Sequence, residues 1–387
     1  MSPAPESLAP ENRDLDIRWI DTPKALDEVC EALSSADTLA LDTEFFREST
    51  FFPVPALVQL CAGETAYLVD PQAVAATPAL KALLSEGPLK LLHASSEDLE
   101  VLGGWAGVGI WPLVDTQVAQ SLLSEDPAMG YQRLVEHWTG HVLPKDETRS
   151  DWLERPLSDS QCRYAALDVI YLLEVWQAQR ASLEMRGRLG WLEADCAAIV
   201  AQAGRSLDAD SQWYLRHRQL WRLERPQVEA YRRLTTWREG EARARNLPRG
   251  WLVSDKLLYA VAERMPKDRH GLAQVEGLKP GVIKREGDTL LALVREARHC
   301  DEAELAEALP SPLTGPFKKR FKALKQVVTG QAERLGIAPE VLMRRRDIES
   351  LVAANLLGRP LELPNGWRGQ CLADDLATAL KQVNAHE

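Results

Sequence analysis

Four carboxylates and one phenol stand out along this 387-residue chain because of the neighbours that surround them. In Leu39-Ala40-Leu41-Asp42-Thr43-Glu44-Phe45 two acids close an apolar run. Side chains two apart on a strand share a face, so Asp42 and Glu44 point the same way. Like charges that close repel each other, and a divalent cation is the usual remedy. The stretch Leu91-Leu92-His93-Ala94-Ser95-Ser96-Glu97-Asp98-Leu99 reads as a buried strand handing over to a helix, with Asp98 in the first turn. Tyr164-Ala165-Ala166-Leu167-Asp168 puts a hydroxyl and a carboxylate one turn apart on one helical face.

Each of these has an ordinary explanation on its own. Acidic pairs occur on exposed strands; Ser95 or Ser96 can cap a helix whose dipole Glu97 and Asp98 complement; a tyrosine can mark the edge of an amphipathic helix. His93 is read as a core or supporting residue and is not assigned to a metal. Together, carboxylates at two strand ends and on a helix suit hydrolysis of a phosphodiester by two divalent ions roughly 4 Å apart. Hard ions prefer oxygen ligands, so magnesium or manganese is expected.

The elements that must position these groups follow from periodicity. Apolar stretches at 38–45, 56–61, 66–69 and 89–94 read as strands, and helical patterns cover 23–34, 75–85, 96–103, 116–123, 131–138 and an uninterrupted 158–182. Strands interleaved with helices indicate an α/β domain. From about Glu184 onward only helical patterns remain, and the Pro- and Gly-rich stretch from Asp301 to Pro316 marks a linker between helical domains.

A net charge of −11 argues against a polyanionic partner on average, but the distribution is uneven. From Arg216 to Arg249 ten arginines face four glutamates, and further clusters lie at Lys318-Lys319-Arg320 with Lys322 and Lys325, and at Arg344-Arg345-Arg346. A solvated helix face is the ordinary reading of any one such run. Trp213, Trp221 and Trp237 lie in or beside the first run and are read as core ahead of base-stacking. The six cysteines show no CxxC pair and are expected as free thiols. The opening Met1 to Asp14 lacks a basic segment followed by an apolar one, and no later run reaches the roughly 18–20 apolar residues of a membrane span, so a soluble, cytoplasmic protein is expected.

At the acidic motifs the sequence resembles the DEDD exonuclease superfamily, whose three motifs are matched in order by Asp42-Thr43-Glu44, by Asp98, and by Tyr164 to Asp168. A tyrosine four residues before the last aspartate is similar to the tyrosine subclass. The resemblance implies a ribonuclease H-like α/β fold, a mixed twisted sheet flanked by helices. It also implies that Asp42, Glu44 and Asp168 hold the nucleophile-side metal, with Asp42 bridging and Asp98 supporting the leaving-group-side metal. Tyr164 would orient the attacking water and help deprotonate it. The segments His93 to Glu100 and Tyr164 to Leu173 look closest to the bacterial ribonuclease D family, whose hallmark is a pair of all-α HRDC (helicase and RNase D C-terminal) bundles that bind nucleic acid. Leu215 to Ala297 is similar to the first bundle, and Glu302 to Val383 resembles the second less closely. The division expected is a disordered N-terminus (1–15), an exonuclease domain (16–185), a connecting helical segment (186–213), a first HRDC domain (214–297) and a second, HRDC-like one (298–383).

What the resemblance implies for function is a 3′–5′ exoribonuclease that releases 5′-mononucleotides from tRNA precursors and other structured RNA 3′ ends. It would use two Mg2+ or Mn2+ ions, no organic cofactor and no obligate protein partner. Basic helical faces would grip the RNA backbone without reading sequence. Gln59, Phe45 and Asp115 sit where substrate could pass. A DNA exonuclease of proofreading type uses the same carboxylates, and the 2′-hydroxyl contacts that tell RNA from DNA are not legible in one sequence. A non-catalytic RNA-binding scaffold would be marked by loss of one of the five residues, and all five are present.

Overall fold

The computed structural model describes residues 15–144, 150–205 and 212–385, so the N-terminal stretch expected to be disordered lies, but for residue 15, outside the described residues. One sheet carries six strands in the order β1 (Asp16–Ile20), β4 (Thr65–Val69), β3 (Val54–Cys61), β2 (Thr38–Phe46), β5 (Leu89–Leu92), β6 (Leu113–Asp115). Only β3 runs antiparallel to its neighbours; β1 with β4, β2 with β5 and β5 with β6 are parallel. This is the expected mixed sheet, with two strands the sequence reading did not include. Asp16–Ile20 alternates polar and apolar side chains on an edge, and Leu113–Asp115 spans only three residues, so neither leaves a run long enough to read.

The two faces of the sheet are buried differently. Leu39 and Leu41, with Val58, Leu60 and Val69, pack against α1 (Pro23–Leu33), α2 (Pro78–Ser85) and α3 (Ser96–Ala106). The other face carries Ala40, Cys61 and Ala66 against Ala166, Val169 and Ile170 of α6 (Asp159–Ile170). Beside them Leu57 and Leu68 pack against Ala165. Small side chains on both sides allow the helix to approach the sheet closely. A capping box between Ser158 and Gln161 fixes where α6 begins, which sets the height of every residue along it. The single helix expected over 158–182 is two, α6 and α7 (Leu172–Met185), separated at buried Tyr171 with neither Gly nor Pro to mark the break. Three further helices, α4 (Thr116–Ser121), α5 (Tyr131–Thr139) and α8 (Leu189–Arg205), complete this part.

No strand follows Asp115 among the described residues. A first bundle comprises α9 (Arg225–Ala244), α10 (Arg249–Leu252), α11 (Asp255–Arg264), α12 (Arg269–Ala273) and α13 (Pro280–His299). A second comprises α14 (Gly315–Leu335), α15 (Pro339–Leu342), α16 (Arg345–Leu356) and α17 (Gly366–Ala385). The connecting stretch 301–314 has no helix but is held down: Arg225 pairs with Glu302, and the Ala306 amide donates to Glu229.

The bundles meet the α/β part in different ways. The second shares a continuous apolar core with it, where Leu122, Trp176 and Leu183 join Phe317, Leu324 and Trp367. Trp191 stacks on Trp367 at 4.3 Å between ring centroids, and Arg368 forms a two-pronged ion pair with Asp195. The first bundle holds the loop after β2, where Phe51 packs with Ala242 and Leu252 and the Asn246 side-chain oxygen accepts from the amides of Phe51 and Phe52. All six cysteines are free thiols, and among the described residues no helix is long and apolar enough to cross a membrane.

Candidate active site

Carboxylate oxygens of Asp42, Glu44 and Asp168 lie within 4.8 Å of one another. Two elements achieve this. Strand β2 presents Asp42 and Glu44 on the face that α6 covers, and the α6 register puts Asp168 above them. A bulge in the β2–β3 ladder follows directly after Glu44, where the strand leaves regular pairing. Pairing of β2 with β5 stops at Ala40, and the first turn of α3 brings Asp98 to the strand end beyond it. The Asp98 carboxylate accepts a 2.6 Å hydrogen bond from the Thr43 hydroxyl. Tyr164 donates its hydroxyl proton to Asp168 one turn along α6. The five residues singled out in the sequence thus converge.

The four carboxylates are unlike ordinary surface acids. Burial, and then the charges of Asp98, Asp168 and Glu44, push Asp42 well above the usual carboxylate range. Burial likewise raises Glu44 to about 8, with Asp168 and Asp98 adding to it. Asp168 is raised to about 7 by burial, against the hydrogen bond from Tyr164 that lowers it, and Asp98 to about 6 by burial, against the bond from Thr43. Among the described residues no lysine or arginine is one of the main groups acting on the four. Crowded acids without a cationic partner fit divalent cations with oxygen ligands, and His93 stands outside the group: its Nδ1 faces the Thr116 hydroxyl at 3.0 Å. Burial and nearby acid charge also push Tyr164 up.

The turn into α3 is held from behind. Ala94 adopts the left-handed conformation at φ 57°, and Asp115 accepts from the Ala94 and Ser95 amides and from the Ser95 hydroxyl, besides capping α4 through Gln117 and Val118. Ser95 therefore does not cap α3 with its side chain, and Asp115 is a buried brace of this turn that also lines the cavity beside it. Glu97 fits the capping reading, exposed in the first turn, whereas buried Asp98 does not. Gln59 is fully buried, and Phe45 is half-buried at the bulge. Thr43 and Tyr131 were not singled out in the sequence. Tyr131 donates to the Leu167 carbonyl at 2.8 Å beneath Asp168, a contact no local pattern announces.

The comparisons with known proteins agree with this geometry. The profile of a family described as 3'-5' exonuclease matches residues 17–184, one described as HRDC domain matches 227–294, and one described as Ribonuclease D, C-terminal HRDC domain matches 316–376. Ribonuclease D of Pseudomonas paraeruginosa is 39% identical over 372 residues, covering 95% of this chain and 98% of that protein. The chain belongs to the ribonuclease D family. Within that family, ribonuclease D of Escherichia coli K12 is 36% identical over 388 residues and is covered over 99% of its length. The crystal structure of E. coli RNase D, described as an exoribonuclease involved in structured RNA processing, superposes with a TM-score of 0.85 at 34% identity, over 95% of this chain and 99% of that one. The chain is accordingly a metal-dependent 3′–5′ exoribonuclease of ribonuclease D type.

The arginine-rich run is in large part taken up by ion pairs, while Arg216, Arg218 and Arg222 are exposed. Six of its ten arginines are paired with carboxylates: Arg225 with Glu302, Arg232 and Arg233 with Glu229, Arg238 with Asp255, Arg245 with Glu286 and Arg249 with Glu239. Glu229 and Glu239 are fully buried, so these arginines neutralise acids inside the first bundle. Trp213 is part of the same scaffold, with Arg216 and Arg249 each 4.1 Å from its ring centre and its indole N–H on Asp255. On the second bundle Lys318, Lys322 and Lys325, spaced along one face of α14, are exposed and pair with no described carboxylate. A cavity of about 1090 Å³ lies between this bundle and the catalytic part, lined by Ala94, Ser96 and Asp115 beside the α3 turn and by both arginines (Arg344, Arg359, Arg368) and acids (Asp195, Glu340, Asp347, Glu362).

Proposed function

We propose that the chain trims RNA from the 3′ end one nucleotide at a time, releasing 5′-mononucleotides, with tRNA precursors and other structured RNA 3′ ends as its substrate class in the cytoplasm. The observation that carries the reading is the convergence of Asp42, Glu44 and Asp168 within 4.8 Å, with Tyr164 bonded to Asp168. Two divalent cations, Mg2+ or Mn2+, would activate water, neutralise the scissile phosphate and stabilise the departing 3′ oxygen. Asp42, Glu44 and Asp168 would hold one, and Asp98, braced by Thr43, would hold the other with Asp42 between them. Tyr164, one turn from Asp168 on α6, would orient the attacking water and help deprotonate it. The exposed lysines of α14 support backbone contacts there, independent of base sequence. The division at 16–185, 186–213, 214–297 and 298–383 is proposed as the functional one: catalysis, connection and two RNA-handling bundles.

The deciding experiment is degradation of a 3′-tailed RNA labelled at its 5′ end, with Mg2+ or Mn2+, with chelator and with Asp42→Asn, beside a matched DNA. A ladder shortening from the 3′ end, abolished by chelator or substitution and weaker on DNA, is expected. Equal shortening of DNA would favour the proofreading-type exonuclease, and tight RNA binding without shortening would favour a scaffold.

A further inference from the structure

Strand β3 is fully buried from Ala56 to Cys61, and its sequence Ala56-Leu57-Val58-Gln59-Leu60-Cys61 is apolar at every position but one. Gln59 is 0% exposed, and neither its amide nitrogen nor its amide oxygen has a hydrogen-bond partner. A buried side-chain amide with nothing bonded is rare in native proteins and signals a missing partner or a functional role. Its neighbours on the same face, Leu57 and Cys61 along β3 and Leu68 across from it on β4, offer no adequate partner. The polar neighbour lies on the other side. In the β2–β3 ladder Gln59 is directly opposite Asp42, and residues opposite one another in an antiparallel pair project to the same face with Cβ atoms about 4.5–5.5 Å apart.

We infer that Gln59 is a positioning residue for the metal centre: its amide N–H donates to Asp42 when Asp42 carries its cations, and so fixes which carboxylate oxygen faces each of them. This rests on the proposed function in taking Asp42 as a ligand. A carboxylate has about four lone-pair sites, so one that bridges two cations can still accept a bond from the protein behind it. Groups that orient metal ligands from behind in this way change metal affinity about 10- to 100-fold when removed. An aliphatic residue at this position would fill the same apolar space, so packing alone does not require the amide.

The test is Mn2+ binding to the whole chain without RNA, followed by electron paramagnetic resonance, for wild type, Gln59→Leu and Gln59→Met, with thermal unfolding in chelator for each. The expected result is a metal-free midpoint equal to or above that of wild type, with a Mn2+ dissociation constant raised about 10-fold or more. The RNA KM is expected unchanged and kcat lowered at subsaturating metal. Gln59→Met, unbranched like glutamine, serves if leucine prevents folding. Mn2+ affinity within twofold of wild type in a folded variant overturns the inference while leaving the metal-site reading intact. Failure of wild type itself to bind Mn2+ defeats both.

Discussion

The hydroxyl of Thr43 donates a 2.6 Å hydrogen bond to Asp98, joining the strand that carries Asp42 and Glu44 to the first turn of α3 across 55 residues of sequence. Thr43 projects to the opposite face of β2 from the two acids, so one strand supplies ligands on one side and a brace for a further ligand on the other. Hydrogen bonds to charged groups contribute about 1.5–3 kcal/mol. Thr43→Val, close in size but without the donor, is therefore expected to lower kcat on RNA roughly 10- to 100-fold with a small change in melting temperature. Unchanged kcat at saturating metal would remove Thr43 from the account.

Replacing a ligand should separate activity from stability. Asp42→Asn removes one of several crowded acids that, among the described residues, have no cationic group as a main neighbour. The variant is expected to lose about 10³-fold or more in kcat and yet, in chelator, to melt about 2–5 °C above wild type. Kinetics and thermal unfolding on the same preparations check this, and a lower chelator-state midpoint for Asp42→Asn would contradict it.

The same crowding sets a pH dependence. In the folded chain Asp98 is raised to about 6, Asp168 to about 7 and Glu44 to about 8, against unfolded values near 4. Between about pH 4 and 8 the folded state then binds more protons than the unfolded one at these groups, so their contribution to stability is full at the acid end and lost as pH rises. Metal-free protein is expected to melt progressively lower from pH 5 to 8. Mg2+ or Mn2+ should raise the midpoint more at pH 8 than at pH 5, because binding displaces those protons. Thermal unfolding at several pH values with chelator or metal measures both, and a metal-induced shift independent of pH would count against it.

Two basic regions should behave differently toward RNA. Charge reversal at Lys318, Lys322 and Lys325 is expected to weaken binding evenly across RNA sequences and to reduce the salt dependence by up to about one released counterion for each lysine replaced. Arg232→Gln is expected instead to destabilise the first bundle, because it strips a partner from fully buried Glu229, with the salt slope unchanged. Binding isotherms across a salt series decide between these assignments.

Asn246 accepts from both the Phe51 and Phe52 amides, side-chain hydrogen bonds by which the first bundle holds the loop after β2. Asn246→Ala is expected to speed amide exchange at Phe51 and Phe52 by about 10-fold or more, since each loses its acceptor, while β2 itself stays protected. Exchange followed by mass spectrometry over residues 47–53 reads this directly.

Much of the catalytic chemistry was legible because it is local. Asp42 and Glu44 sit two apart on a strand, Tyr164 and Asp168 four apart on a helix, and alternation or helical repeat alone tells which residues share a face. Four strands, most helices of the catalytic part and the all-helical back half were likewise set by periodicity, which depends only on neighbours along the chain. The break at Tyr171 and the short strands β1 and β6 escaped because their boundaries are decided by packing and pairing with distant segments. The same reason explains the arginines: a run of positive charge is visible in sequence, but whether Glu229, Glu239, Glu286 or Asp255 reaches it is not. Residue types at short spacing determined what chemistry this chain can attempt. Only the tertiary structure decided that Asp98 meets Thr43, that Gln59 lies opposite Asp42 with its amide unpartnered, and that an open cationic face is on α14, because those arrangements close over loops of tens to hundreds of residues whose ends no local pattern brings together.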